Sequence, residues 1–155
     1  MDAFDFEDDE SGLVDRFLAD RIYEFNVAAT ACSDGELFAA CRRDESGSIV
    51  AGVSGYTWGG CCYVAHLWVS ELLRGKGLGR ALLLATEARA KGKGCVIVLL
   101  SSHSFQAPGF YEKSGYVAQA SIADHPVGHA NTVFAKRLTP AVLTPEDAGS
   151  AAESA

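Results

Sequence analysis

The residues with the clearest chemical purpose form a basic, glycine-rich turn in the middle of the chain. From Arg74 to Arg80 the sequence is Arg-Gly-Lys-Gly-Leu-Gly-Arg, so three glycines alternate with basic and apolar residues. Glycine has no Cβ, and a ligand can therefore approach the backbone N–H groups of such a turn closely. Where the turn starts a helix, the free N–H groups of the first helical turn and the positive end of the helix dipole attract anions. The turn is therefore predicted to bind a pyrophosphate group.

A strand and a helix are predicted on either side of this turn. Residues 62–69 are rich in β-branched and aromatic side chains, which favours a strand. Apolar residues recur at helical spacing through residues 78–91, and Gly92 and Gly94 are expected to end that helix. By itself, such a segment is also compatible with a plain strand-to-helix connection.

The glycine pattern differs from two other phosphate-binding motifs. A P-loop needs Gly-Lys-Ser/Thr after four spacer residues, and the sequence lacks it here. The dinucleotide fingerprint needs a third glycine where Arg80 stands, and a strand-helix-strand unit around it. Written as Arg74-x-x-Gly77-x-Gly79, the turn resembles the acyl-coenzyme A pyrophosphate loop of the GNAT superfamily of N-acetyltransferases.

A second segment strengthens this resemblance. Residues 108–116, Pro-Gly-Phe-Tyr-Glu-Lys-Ser-Gly-Tyr, resemble the "FYeklGF" segment of the same superfamily, in the same order and at the usual separation. The resemblance covers residues 13–138. It implies an α/β fold with a mixed, mostly antiparallel sheet, flanked by helices, whose central parallel strands splay apart. The pantetheine arm of the coenzyme would lie in the gap between those strands.

The other elements agree with such a sheet. The predicted strands cover residues 37–42, 49–58, 62–69, 95–100, 116–122 and 132–138. The helix between the third and fourth strands makes a crossover, so these two strands are expected to be parallel. A first helix is expected to begin with Ser11 as its N-cap, and a short helix over residues 109–114 follows a loop over 101–108.

The resemblance implies a set of coenzyme-binding residues. The main chain before the turn would contact the acyl and pantetheine groups, the turn would bind the pyrophosphate, and Tyr111 would lie near the sulfur. These residues are Leu67, Trp68, Val69, Arg74, Gly75, Lys76, Gly77, Leu78, Gly79, Arg80 and Tyr111. Ser104 and Gln106 occupy the loop in which many relatives have an asparagine that contacts pantetheine.

Acetyl transfer to an amine requires two proton transfers, one away from the attacking amine and one to the leaving thiolate. An amine of the lysine type has a pKa of about 10.4, so a base must remove its proton at neutral pH. A backbone N–H near Val69 is placed to polarise the thioester carbonyl. The phenol of Tyr111 fits the role of general acid toward the leaving thiolate, although it could instead be an aromatic anchor like Phe110 and Tyr116. No covalent intermediate on a cysteine is needed.

The sequence leaves the general base open. Many relatives carry a glutamate in the strand before the loop, whereas residues 61–69 contain no carboxylate and have Tyr63 in that neighbourhood. His66 is the nearest titratable candidate, but strand alternation with Trp68 suggests a place in the packed layer. We therefore expect water or a loop residue to remove the proton. The candidates outside this strand are His103, Asp124, His125, His129 and Glu24.

The acceptor site is predicted from the resemblance alone. In the family, the first helix and the turn after it form a wall of that site, which makes Tyr23, Glu24 and Asn26 candidate substrate contacts. His103, in the loop after the fourth strand, is a further candidate.

Composition limits the partners and the location of the protein. The chain has 155 residues and a formal net charge of -7, which argues against nucleic acid or an anionic membrane and tolerates a cationic substrate. Residues 1–10 are expected to be a flexible acidic terminus, 11–138 a single N-acetyltransferase domain, and 139–155 a disordered tail. Short apolar runs and the absence of zinc-like spacing favour a cytoplasmic protein with reduced, buried cysteines and no metal.

The leading hypothesis is transfer of an acetyl group from acetyl-coenzyme A to an amine of a small molecule, by direct attack in a ternary complex. A homodimer is an open expectation. One alternative is a non-catalytic acyl-coenzyme A-binding or regulatory module, which the missing carboxylate favours and Tyr111 disfavours. Another is acetyl transfer to a protein N-terminus or lysine.

Overall fold

Six strands pair into one mixed sheet in the order β1-β2-β3-β4-β6-β5. The structure is a computed structural model and describes residues 8–138. The strands are β1 Glu36–Arg43, β2 Ile49–Trp58, β3 Cys61–Val69, β4 Ile97–His103, β5 Val117–Ala123 and β6 Ala130–Arg137. The helices are α1 Leu13–Thr30, α2 Leu78–Gly92 and α3 Pro108–Lys113, and a 3-10 turn covers Glu71–Leu73. The predictions for residues 1–7 and 139–155 lie outside the described residues.

The chain divides into two compact units, with the boundary between Ser33 and Asp34. In the first unit, Asp9 caps α1: its carboxylate accepts the backbone N–H groups of Val14 at 3.2 Å and Asp15 at 2.9 Å. These hydrogen bonds, the one from Asp15 above all, lower the pKa of Asp9. The prediction of Ser11 as the N-cap is therefore wrong, because Gly12, at φ +65°, takes the N-cap position and Asp9 supplies the cap.

In the second unit, the central strands separate as predicted. β3 and β4 are parallel, and their pairing runs from Cys61–Ile97 to Val64–Leu100. Within the described residues β3 continues to Val69 and β4 to His103 without further pairing between them. A gap therefore opens at the C-terminal ends of the two strands.

The core of this unit lies between the sheet and α2. The buried residues of α2 are Leu83, Thr86, Glu87 and Ala90. Leu83 and Ala90 belong to a core with apolar side chains from four strands. Among these, Phe134, Leu100 and Val98 are at most 1% exposed. This packing fixes the N-terminus of α2 against the splayed ends of β3 and β4, where the site lies.

β4 begins and ends later than the sequence predicts. Cys95 and Val96 precede the strand, and residues 101–103, expected to be loop, belong to it. The polar residues Ser101, Ser102 and His103 are extended because β6 pairs with each of them. Long-range pairing thus overrides their weak local preference for a strand.

The five cysteines form no disulfide in the described part of the chain, and they do not share one environment. Cys62 and Cys95 are buried, whereas Cys41 is exposed, so the expectation of uniformly buried thiols is wrong. Burial raises the pKa of the Cys62 thiol to about 12. No group of three or more metal-binding side chains, and no helix apolar and long enough to cross a bilayer, occurs within residues 8–138.

Candidate active site

The glycine-rich turn opens onto free space at the start of α2. Gly75 and Gly77 have φ angles of +72° and +80°, in the left-handed region that disfavours residues with a Cβ. A Cβ built at either position would meet nothing within 4 Å. Gly79 differs, because a Cβ there would lie 3.5 Å from the ring of Phe110. Gly75 and Gly77 therefore leave room for a ligand, whereas a side chain at position 79 would point toward α3.

Two of the basic residues of the turn face the same space. Arg74 and Arg80 line the cleft described below, and Nε of Arg74 also donates to the carbonyl oxygen of Val69 at 3.2 Å. In the described part of the chain, Arg74, Lys76 and Arg80 form no ion pair. Their positive charges are therefore available to an anionic ligand.

A cleft of about 1070 Å³ runs from this turn into the gap between β3 and β4. Most of the predicted coenzyme-binding residues line it. These are Leu67, Trp68, Val69, Arg74, Gly75, Gly77, Leu78, Gly79, Arg80, Gln106 and Tyr111. Lys76 and Ser104 belong to the same loops but are not among its lining residues. A volume of this size can hold a large ligand, and the basic turn at one end suits an anionic group of that ligand.

Tyr111 lies in the wall of this cleft, on α3. Its ring makes edge contacts with Phe110 and Tyr116, at centroid distances of 5.0 and 6.1 Å, and a tilted contact with Phe134 at 5.9 Å. Burial raises the pKa of the Tyr111 phenol. The side chain is therefore both an aromatic anchor and a phenol held in its protonated form.

His66 lies on the face of the sheet opposite α2, contrary to the prediction that it points into the packed layer. The reason is a β-bulge: β2 pairs Ser54 with His66 and Gly55 with Val64, so Ala65 is an extra residue that reverses the alternation of side chains. Only glycine fits at position 55, because a Cβ there would collide with the carbonyl oxygen of Tyr63.

His66 is accessible from the cleft. Its side chain is exposed, lines the cleft, and has Nδ1 3.3 Å from the hydroxyl oxygen of Ser54. Ser54 was missed in the sequence, since the bulge that brings it to His66 depends on pairing between two strands.

The loop candidates for the base lie near one another. The rings of His103, Phe105, His125 and His129 form a cluster in which neighbouring centroids are 4.9 to 5.4 Å apart; His103 is half-buried and the other three are exposed. Asp124 has φ +54° and accepts the backbone N–H of Gly128 at 3.1 Å, so its carboxylate stabilises the β5–β6 turn. Phe105 was not among the predicted site residues; no local motif marks it.

The substrate contacts predicted on α1 belong to the first unit. Glu24 pairs with Arg21 at 2.6 Å, and the carbonyl oxygen of Asn26 accepts the hydroxyl of Thr30 at 2.7 Å. Contact of Tyr23, Glu24 or Asn26 with a substrate stays a prediction.

Comparison with known proteins identifies the family. The sequence model of the Acetyltransferase (GNAT) family matches residues 4–116. A blasticidin-S acetyltransferase of Streptomyces morookaense is 38% identical over 104 residues, which cover 66% of this chain and 76% of that protein. An acetyltransferase of Agrobacterium fabrum is 27% identical over 124 residues, covering 80% of this chain and 90% of that protein.

A solved structure agrees in fold over nearly the whole length. The crystal structure of an acetyltransferase from Bacillus cereus superposes with a TM-score of 0.74 at 33% identity, and the match covers 88% of this chain and 98% of that one. Homology over most of the chain thus agrees with the structural features: the mixed sheet, the splayed central strands and the glycine-rich turn at the start of α2. The chain belongs to the GNAT family of acetyltransferases and is an acetyl-transferring enzyme.

Proposed function

We propose that this enzyme transfers the acetyl group of acetyl-coenzyme A to an amine of a small molecule, by direct attack of the amine on the thioester in a ternary complex. The observation that carries the proposal is that one cleft contains the glycine-rich turn, the end of β3 that β4 leaves unpaired, and the phenol of Tyr111. The relative with a small-molecule acceptor in its name, a blasticidin-S acetyltransferase, supports an acceptor of the same general class.

The residues of the cleft fit the coenzyme. Its pyrophosphate needs backbone N–H groups without side chains above them, and Gly75 and Gly77 leave that space open. The positive charges of Arg74 and Arg80 balance the phosphate charge. The pantetheine arm needs an exposed strand edge, and β3 beyond Val64 has one toward β4.

Each reacting group then has a partner in the chain. A backbone N–H near Val69 polarises the carbonyl, and Tyr111 donates a proton to the departing thiolate, a role that its raised pKa favours because the phenol stays protonated. Cys62 is unsuited to covalent catalysis because its buried thiol, with a pKa of about 12, is hardly ionised at neutral pH.

His66 is the residue that best fits removal of the amine proton, directly or through a water molecule. It is exposed in the cleft, whereas Asp124 is engaged in a turn and His129 is not among the residues that line the cleft. The cytoplasmic location and the homodimer stay predictions.

The test is release of coenzyme A from acetyl-coenzyme A in the presence of a panel of amines that includes blasticidin S, with lysine peptides and peptides with a free N-terminus as a separate arm. We expect release with a small-molecule amine. Stabilisation of the fold by acetyl-coenzyme A without release from any acceptor would instead identify a non-catalytic module. Release from the peptides alone would place the acceptor on a protein.

A further inference from the structure

Four aromatic rings, from the end of β4, the loop after it and the β5–β6 turn, form a continuous surface beside the cleft. We call His103, Phe105, His125 and His129 the aromatic wall. The ring of Phe105 stacks on that of His103, with centroids 5.2 Å apart and planes at 16°. His125 meets His103 edge-on at 5.4 Å, and His129 meets Phe105 edge-on at 4.9 Å. Three of the four histidines of the chain thus lie in one cluster.

Backbone hydrogen bonds hold these segments together. The N–H of Ser104 donates to the carbonyl oxygen of Ala130 at 2.8 Å, and the N–H of Ala130 donates to Oγ of Ser104 at 3.2 Å. The N–H of His103 donates to Oε1 of Gln106 at 2.9 Å. The rings are therefore presented in a fixed arrangement, which lowers the entropic cost of binding a ligand on them.

Burial does not account for this arrangement. Phe105 is 55% exposed, and His125 and His129 are exposed as well, so the rings contribute little to the core. His103 and Phe105 also line the cleft, which makes the wall continuous with it. Exposed, preorganised rings at the edge of a binding cleft are suited to stacking against another planar ring.

We propose that the aromatic wall binds a planar, unsaturated ring of the amine acceptor by stacking. The proposal rests on the proposed function and narrows its substrate class to amines that carry an aromatic or heteroaromatic ring. The wall would orient such an acceptor along the cleft, while the basic turn at the other end binds the coenzyme.

Two amines that differ only in the ring test this proposal. The full-length protein, saturated with coenzyme A, is titrated with 2-phenylethylamine or with 2-cyclohexylethylamine, and the imidazole proton signals are followed by NMR. We expect the aromatic amine to bind roughly 2- to 10-fold more tightly, the gain typical of a stacked ring pair. It should also shift the signals of His103, His125 and His129, assigned with single histidine-to-glutamine variants.

Matched variants separate stacking from general contact. Phe105→Leu keeps an apolar side chain without a ring, so the preference for the aromatic amine should disappear. Phe105→Tyr keeps the ring and should keep the preference. Val127→Ala, at an exposed position in the same β5–β6 turn, should change nothing. Melting temperatures of all three variants confirm that they are folded.

Several results would overturn the proposal. They include equal affinity for the two amines, no binding of either at millimolar concentration, and a preference that survives Phe105→Leu. A Phe105→Leu protein that binds coenzyme A more weakly and keeps the preference would assign the wall to the coenzyme. A wrong proposed function would give a different result: the aromatic amine would bind, but no amine would cause release of coenzyme A from acetyl-coenzyme A.

Discussion

Nζ of Lys136 donates to both carboxylate oxygens of Glu87, at 2.9 and 2.8 Å, and so ties β6 to the helix that follows the glycine-rich turn. The same ammonium group donates to the carbonyl oxygen of Ser114 at 2.9 Å, and the hydroxyl of Tyr116 donates to Glu87 at 3.2 Å. Burial, with the nearby charge of Glu87, raises the pKa of Tyr116. The network joins α2 to the end of α3, the helix of Tyr111, and so fixes the two sides of the cleft.

Lys136→Met should destabilise the protein by about 3 kcal/mol, because it leaves the charge of Glu87 in a largely buried site without its cationic partner. The lysine side chain is 25% exposed, so we expect the lower end of the range for buried pairs. Urea denaturation measures the change in the free energy of unfolding.

Lys93→Met is the matched control, since Lys93 pairs with Glu36 at 2.6 Å but both side chains are more than 40% exposed. The free energy of unfolding should fall much less in this variant, because solvent screens the ion pair. Equal losses in the two variants would show that the Glu87 network contributes no more than a surface ion pair.

Acetyl-coenzyme A should stabilise the folded protein, by about 2.7 kcal/mol at 100 times its dissociation constant. Gly77→Asp should abolish the effect and Gly77→Asn should weaken it less. Both side chains tolerate the left-handed backbone at this position, and they differ mainly in the charge that meets the pyrophosphate. Thermal shift with and without the coenzyme measures both. Equal thermal shifts in the two variants would show that the pyrophosphate does not bind at this turn.

Tyr111→Phe should keep coenzyme binding and lower kcat about 100-fold or more, the usual scale of general acid catalysis. Because burial raises the pKa of the phenol, the Tyr111 acid should stay protonated and cause no loss of activity up to about pH 10. The measurement is the pH dependence of kcat in both proteins.

Tyr116→Phe is the control for Tyr111, since it removes a buried hydroxyl that donates to Glu87, and Tyr116 is not among the residues that line the cleft. We expect it to lower stability and leave kcat nearly unchanged. If Tyr111→Phe turns over as fast as the wild type, then Tyr111 is an aromatic anchor and another group protonates the thiolate.

Local sequence signals predicted the parts of the site that a single short segment forms by itself. The glycines of the turn and the helical repeat after it placed the N-terminus of α2 at Leu78, where the structure has it. The extension of β4 to His103 could not be predicted in the same way, because pairing with β6 creates it. The sequence offered His103, His125 and His129 only as separate candidates. Their clustering with Phe105 escaped prediction, since only the folded sheet brings the four rings together.

The position of His66 shows the same limit most clearly. Strand alternation predicts that His66 and Trp68 share a face, and they do, but that face is not the packed one. A single inserted residue separates it from the buried face of Val64. The bulge at Ala65 depends on Gly55, which lies on another strand and allows the close approach of the backbone of Tyr63. Neither strand contains this information by itself, so the side chain appeared to belong to the core.

His66→Gln should therefore lower turnover more than stability, the reverse of what a core histidine would show. The side chain is exposed in the cleft, so its replacement removes a base and little packing. Ser54→Ala should have a smaller effect in the same direction, because it removes only the hydroxyl 3.3 Å from Nδ1. The deciding measurement is the pH dependence of kcat/KM for wild type and both variants, with melting temperatures as the check on folding. Loss of the acidic limb in His66→Gln would identify the base. If that limb persists in a folded His66→Gln protein, the proton leaves through water or a loop residue, and the bulge has only a structural role.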